Sequence, residues 1–185
     1  FLDCDCVPAP DWLARARAAL ARGDLVGGRI DVFDEERPGE DRTSGTRTGA
    51  QAFEVVFAFN NRAYVEEKGF SVTANLATRR DVLDAVGGFH DGVSEDLDWC
   101  RRATAKGFRL AYDDSMRVSH PSRGDWPALR RKWERLTREG FGLERSRLRW
   151  GLKALAMPPS ALVHAPHALR HAGLPPKERL AAAGM

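Results

Sequence analysis

Phe1-Leu2-Asp3-Cys4-Asp5-Cys6-Val7-Pro8 opens the chain. An apolar start running into two aspartates one residue apart predicts the end of a buried strand, Phe1 to Cys6, with Pro8 and Pro10 forcing a turn after it. Residues two apart on a strand face the same side, so Asp3 and Asp5 converge where the strand ends. Two carboxylates that close repel unless a cation lies between them or one is protonated. Oxygen donors suit Mg2+ or Mn2+, which take a few carboxylates together with phosphate oxygens. The pair is therefore a candidate holder of a metal-bridged phosphate or diphosphate. A simple turn toward Pro8 is the competing reading, and spacing alone does not choose between them. The start inside an apolar run, without Met, predicts a piece cut from a longer protein.

Beyond this stretch, helical and strand patterns alternate. Asp11 to Gly23 predicts a helix with Leu13, Ala16 and Leu20 on one face, and Leu25 to Phe33 a strand in which Gly27 and Gly28 mark a bulge or close backbone approach. Asp34 to Gly49 is dense in charge, Gly, Ser and Thr, and predicts a long exposed loop. Gln51 to Lys68 predicts one helix, Phe70 to Ala74 a short strand, and Arg79 to Val86 a helix with Thr78 and Asp81 as a capping box and Gly87-Gly88 as its stop. Ser94 caps a helix that ends near Gly107. Phe108 to Tyr112 and Met116 to His120 predict two strands. Asp125 with Pro127 begins an amphipathic helix with the stripe Leu129, Trp133, Leu136 and Phe141. A further helix carries Leu148, Leu152 and Leu155 and is expected to stop at Pro158-Pro159. The alternation implies an α/β fold with a mixed sheet flanked by helices.

With 43% apolar and 30% charged residues, the composition is that of a globular protein, which excludes a disordered tail or a membrane bundle. No apolar stretch approaches the ~20 residues that cross a bilayer, and no secretory pattern is present. Three cysteines, Cys4, Cys6 and Cys100, suit a reducing cytoplasm. The net charge of +3 does not identify a nucleic-acid binder. It is unevenly placed: between Arg123 and Lys153 basic residues far outnumber acidic ones. Residues 1–123 are expected to form one α/β domain that carries the candidate metal site. Residues 124–185 are expected to form a basic amphipathic helical extension, packed on that domain or on a membrane surface.

The acid run Glu95-Asp96 also has a plain explanation, since carboxylates in a first turn favour a helix through its dipole. It follows Gly87-Gly88-Phe89-His90-Asp91-Gly92, however, where glycines let the backbone turn tightly and approach a ligand. Taken in order, the opening stretch with Trp12-Leu13, then Thr73-Ala74-Asn75-Leu76-Ala77-Thr78-Arg79-Arg80, then Val86-Gly87-Gly88-Phe89, then Ser94-Glu95-Asp96-Leu97-Asp98-Trp99-Cys100-Arg101-Arg102 resembles glycosyltransferase family 2, over roughly Phe1 to Arg123.

The resemblance implies a GT-A fold, a Rossmann-like sheet here lacking its nucleotide-binding front half, which is expected upstream of Phe1. It also implies a nucleotide-diphosphate sugar as donor and a saccharide or lipid-linked acceptor, with a divalent Mn2+ or Mg2+ ion on the diphosphate. Carried over, Asp5 is the direct metal ligand, Asp3 lies nearer the ribose or the metal, and His120 completes the metal shell. Asp96 is the general base, and Glu95 shapes the acceptor pocket. Gly88 brings backbone to the ligand, Trp99 lines the sugar subsite or is a core aromatic, and Asn75 lies near the donor sugar or forms a turn. Two other readings stand beside it. A haloacid-dehalogenase-like phosphatase would use Asp3 as nucleophile and Asp5 as acid and base, with Asp113-Asp114 as a further acidic pair. A non-enzymatic module would dock its basic helices on lipid or nucleic acid. The family reading calls for no nucleic acid, and it is compatible with a cytoplasmic protein whose C-terminal helices make peripheral contact at the inner membrane face.

Overall fold

The computed structural model describes residues 1–34, 46–144 and 146–185, with nothing of the Glu144 side chain. The loop expected at Asp34 to Gly49 therefore lies largely outside the described residues. Two compact units are present, one made of Phe1–Asp31 and Phe59–His120, the other of Val32–Ala58 and Pro121–Met185. The chain passes between the units after Asp31, Ala58 and His120, and the inclusion of Val32–Ala58 in the helical unit has no signal in composition.

The sheet contains β1 (Val7–Pro8), β2 (Leu25–Phe33), β3 (Leu76–Thr78) and β4 (Leu110–Pro121), in the order β1-β4-β2-β3. β1 pairs antiparallel with β4 and β3 antiparallel with β2. The Asp24 and Leu25 amides donate to the Arg109 carbonyl, and the Ser122 amide donates to the Phe33 carbonyl. β2 and β4 therefore run in the same direction, and the sheet is mixed.

In the first unit the sheet is covered on both faces. Successive strand residues point opposite ways, and neighbours Leu25 and Val26 are both buried, each in its own cluster. Leu25 and Leu76 meet Val82 and Val86 from α4 (Arg80–Val86) and Trp99, Cys100 and Ala103 from α5 (Glu95–Ala105). Val26, Ala77 and Met116 meet Ala16 and Ala19 from α1 (Trp12–Ala19). Coverage on both sides explains why β2 reads as a continuous apolar run at its start rather than an alternation. Gly28 marks the close approach expected of it, because a Cβ there would fall on the Met116 carbonyl oxygen and the Asn75 amide.

Several expected elements are corrected. Phe1 to Cys6 is not one strand: Phe1 exchanges two backbone bonds with Leu76, after which the Cys6 amide donates to the Asp3 carbonyl at 3.1 Å and closes a turn. The helix expected over Gln51 to Lys68 is two, α2 (Gly49–Phe57) and α3 (Asn61–Lys68). Asn60 interrupts it, its side chain accepting the Ala63 amide as a cap, which competes with continued helix. In place of a strand over Phe70 to Ala74 stands a 3-10 turn, Thr73–Asn75. Thr78 forms no capping box; its hydroxyl donates to the Asp24 carbonyl. The two strands expected between Phe108 and His120 are the single β4, in which Asp113 accepts the Ser115 amide and hydroxyl.

The second unit is mostly helical. α6 (Trp126–Glu144) starts as expected, with Asp125 accepting the Ala128 amide. α7 (Arg147–Leu169) does not stop at Pro158-Pro159 but continues through them and Pro166. The proline rule is local, and here tertiary packing prevails: Ala168 at the far end is buried with Leu174, Ala52 of α2, and Ala182 of α8 (Pro176–Ala183). Glu54, 1% exposed, accepts from the Arg123 amide and guanidinium and from the Lys132 ammonium at 2.7 Å. Burial alone would push its carboxyl up, but Lys132 and Arg123 outweigh that and hold it below the usual range.

Candidate functional site

The two-residue ladder of β1 and β4 assembles the first part of the site. Val7 pairs with Ser119 and Pro8 with Val118, so in an antiparallel register the residue before Val7, Cys6, comes beside the residue after Ser119, His120. The turn from Asp3 to Cys6 then folds both aspartates toward the same place. One ligand atom from each of Asp3, Asp5, Cys6 and His120 lies within 4.8 Å of all the others. His120 Nε2 stands 3.8 Å from an Asp5 oxygen, and the Phe59 ring packs on the imidazole at 4.9 Å between centroids. His120 is buried at 4% exposure while Asp3 and Asp5 are exposed, leaving a fixed nitrogen donor at the base of an open carboxylate pair.

Two carboxylates and an imidazole fit a divalent cation. Cys6 was not among the residues expected to take part. Burial first, then the Asp3 charge, raises its thiol to about 11, so by itself it is a protonated, weak ligand beside the oxygens. Its presence was hidden because alternation along a straight strand sends Cys6 to the side opposite Asp5, whereas a turn does not.

The second part is the start of α5. Ser94 stands at the N-cap position, but its hydroxyl donates to the Asp96 carboxylate at 2.9 Å, and the Leu97 amide donates to the same oxygen at 2.7 Å. Burial, with a smaller contribution from the Glu95 charge, raises the Asp96 carboxyl above its usual value against these two bonds. The Asp96 charge in turn helps burial keep the Tyr64 phenol protonated. Asp96 is thus a half-buried carboxylate with raised proton affinity, held in a fixed orientation.

The glycine turn before α5 is braced by that helix. Gly87 adopts φ 84°, a left-handed value open to glycine. The Trp99 indole donates to the Gly87 carbonyl at 2.8 Å, and Arg102 donates to the carbonyls of Val86 and Gly88 at 2.9 and 2.7 Å while pairing with Asp98. Arg102 is the residue that its sequence spacing undersold: an i,i+4 partner of Asp98 that also holds the turn. Trp99 has no exposed surface. Phe1 packs on Phe89 and Trp99 with centroids 5.1 and 5.9 Å away, which ties the opening segment to the glycine turn and α5.

Asn75 is fully buried. Its amide nitrogen donates to the Arg29 and Met116 carbonyls at 2.8 Å each, and its oxygen accepts from the Trp12 indole at 2.9 Å. One side chain thereby joins β2, β4 and α1. Asp113 and Asp114, the pair the phosphatase reading required, are held on β4 by Ser115 and Arg22 and by Tyr112 and Arg62 respectively. A cavity of about 340 Å³ among Phe1, Trp12, Leu13, Leu20, Thr78 and Leu83 has no acidic residue in its walls and is not where this chemistry lies.

The profile of the family described as glycosyl transferase family group 2 matches residues 1–172. The chain is also similar to glycosyltransferase AglE of Haloferax volcanii, with 29% identity over 127 residues, 66% of this chain and 39% of that protein. It thus spans well under half the length of this relative. The mixed sheet flanked by helices is what part of a GT-A fold provides. With the family matched across nearly its whole length, the chain belongs to the group 2 glycosyl transferases.

Proposed function

We propose that this chain carries the metal and acceptor side of an inverting transferase, which moves a sugar from a nucleotide-diphosphate donor to a hydroxyl of a saccharide or lipid-linked acceptor. The observation that carries the reading is the convergence of Asp3, Asp5 and His120 within one ligand-sized group, in a chain of this family. Asp5 and His120 are the direct ligands and Asp3 faces the metal or the ribose. A Mn2+ or Mg2+ ion held there supplies Lewis-acid stabilisation of charge on the diphosphate oxygens.

Asp96 accepts the proton of the acceptor hydroxyl as its oxygen bonds to the anomeric carbon and the bond to the diphosphate breaks. Burial favours this role by raising the proton affinity of the carboxylate, and the Ser94 hydroxyl and Leu97 amide, both donating to Oδ1, hold the carboxylate in one orientation. Glu95 borders the acceptor. Gly88 offers backbone to the sugar, its carbonyl fixed by Arg102. Trp99 and Asn75 act on the donor side through the frame they hold, Trp99 through Gly87 and Asn75 through Trp12 and two strands.

Titration calorimetry with Mn2+ tests the reading. Asp5→Ala should weaken binding at least ~10-fold, since it removes one of few charged ligands. Equal Mn2+ affinity in wild type and Asp5→Ala would refute the metal assignment.

A further inference from the structure

In a globular protein the apolar stripe of a helix faces the core. α7 is inverted in this respect. Leu148, Leu152, Leu155 and Leu162 recur at spacings that place them on one face, at about 100° per residue. Their exposures are 76%, 59%, 76% and 80%, and Val163 beside them is 72% exposed. Among the described residues of α7 only Ala168 is buried.

Charge on the same helix has one sign. No Asp or Glu occurs from Arg147 to Arg170. Helical spacing sets Arg147 on one flank of the leucine stripe and Arg149 and Lys153 on the other, and Lys153 Nζ lies over the Trp150 ring at 4.6 Å. A leucine stripe flanked by cations and free of acids complements an anionic, apolar partner, which is the chemistry of an acidic phospholipid surface. A paired helix is the poorer match, because Pro159 falls within the stripe and a helical seam demands regular knobs in register. A fluid bilayer demands no register. No helix among the described residues is long and apolar enough to cross a membrane, so α7 would lie in the interface plane.

We propose that α7 is an interfacial helix that docks on anionic bilayers, with Leu148, Leu152, Leu155 and Leu162 inserted among the acyl chains and Arg147, Arg149 and Lys153 at the headgroups. The inference rests on the helical unit alone and stands apart from the transfer reading.

Co-sedimentation of the full chain with large unilamellar vesicles tests it. Vesicles of phosphatidylcholine with phosphatidylglycerol should bind the protein at least ~10-fold more tightly than phosphatidylcholine alone, and high salt should weaken that binding. Leu152→Asp combined with Leu155→Asp should lower it at least ~10-fold, whereas Leu152→Met with Leu155→Met should retain it. Both positions are exposed, so circular dichroism melts should be unchanged. Asp5→Ala should bind vesicles as wild type does, which separates failure here from failure of the metal assignment. The proposal is overturned if wild type stays in the supernatant with anionic vesicles, if both vesicle types bind equally, or if the double Asp variant binds as tightly as wild type. A wild-type dimer that the double Asp variant converts to monomer would assign the face to a second copy and overturn it too.

Discussion

Asn75→Ala is the sharpest perturbation of the frame that joins β2, β4 and α1. The side chain makes three hydrogen bonds of 2.8 to 2.9 Å, to Arg29, Met116 and Trp12, with no exposed surface. At about 1 kcal/mol net for each bond, the loss is about 3 kcal/mol, and it grows if the two carbonyls and the indole are left buried without partners. With a urea slope of about 2 kcal/mol per molar, the unfolding midpoint should fall by about 1.5 M. Tryptophan fluorescence follows the transition, since the Trp12 indole is itself one of the partners. A midpoint within ~0.2 M of wild type, well inside the shift those bonds imply, would refute the frame role.

Two further outcomes follow from charges. The Asp96 carboxyl is raised above its ordinary 3.8 by burial, so the folded state holds its proton to higher pH than the unfolded state. Stability from this group therefore falls as pH rises between the ordinary and the raised values, and the full penalty persists above them. Asp96→Asn should accordingly melt higher than wild type at pH 7 and lose that advantage near pH 4, while turnover drops; thermal scans at the two pH values check the sign, and an advantage that grows toward acid would contradict it. Glu54→Ala strands Lys132 and Arg123 around a buried gap and should cost about 3–5 kcal/mol, read as an early loss of helical circular dichroism in urea; a loss below ~1 kcal/mol, the scale of an exposed pair, would show that water screens the cluster.

The elements legible from sequence are those whose signals are local. β2 was bounded correctly because strand formers at both its ends, Val26 and Val32-Phe33, lie between Gly23 and a polar segment. α5 was bounded by Ser94 and by Gly107 at φ 89°. The break between α2 and α3 was missed because the apolar period of Phe53, Val56, Phe57 and Tyr64 continues across it, and the one contrary signal, Asn60-Asn61, is ambiguous until a partner is known. Asn61 is in fact buried, donating to the Gly28 carbonyl and the Ser71 hydroxyl. Asp113-Asp114-Ser115 looked like a turn between strands because its side-chain bonds mimic one. In the site, the aspartate pair and His120 were named from sequence, yet their meeting depends on pairing across more than a hundred residues, which no local pattern encodes. The same holds for Arg102, whose bonds to the Val86 and Gly88 carbonyls depend on how α5 packs on the preceding turn.

The short ladder that sets Val7 against Ser119 has a consequence for how such a gene can change. Side-chain direction alternates along a strand, so one residue gained or lost between Val118 and His120 would turn the imidazole to the far face, away from the aspartates, while Met116 keeps its place against Val26. A single codon gained or lost between Asp5 and Val7, or between Val118 and His120, would leave a protein that still folds with its donor atoms dispersed.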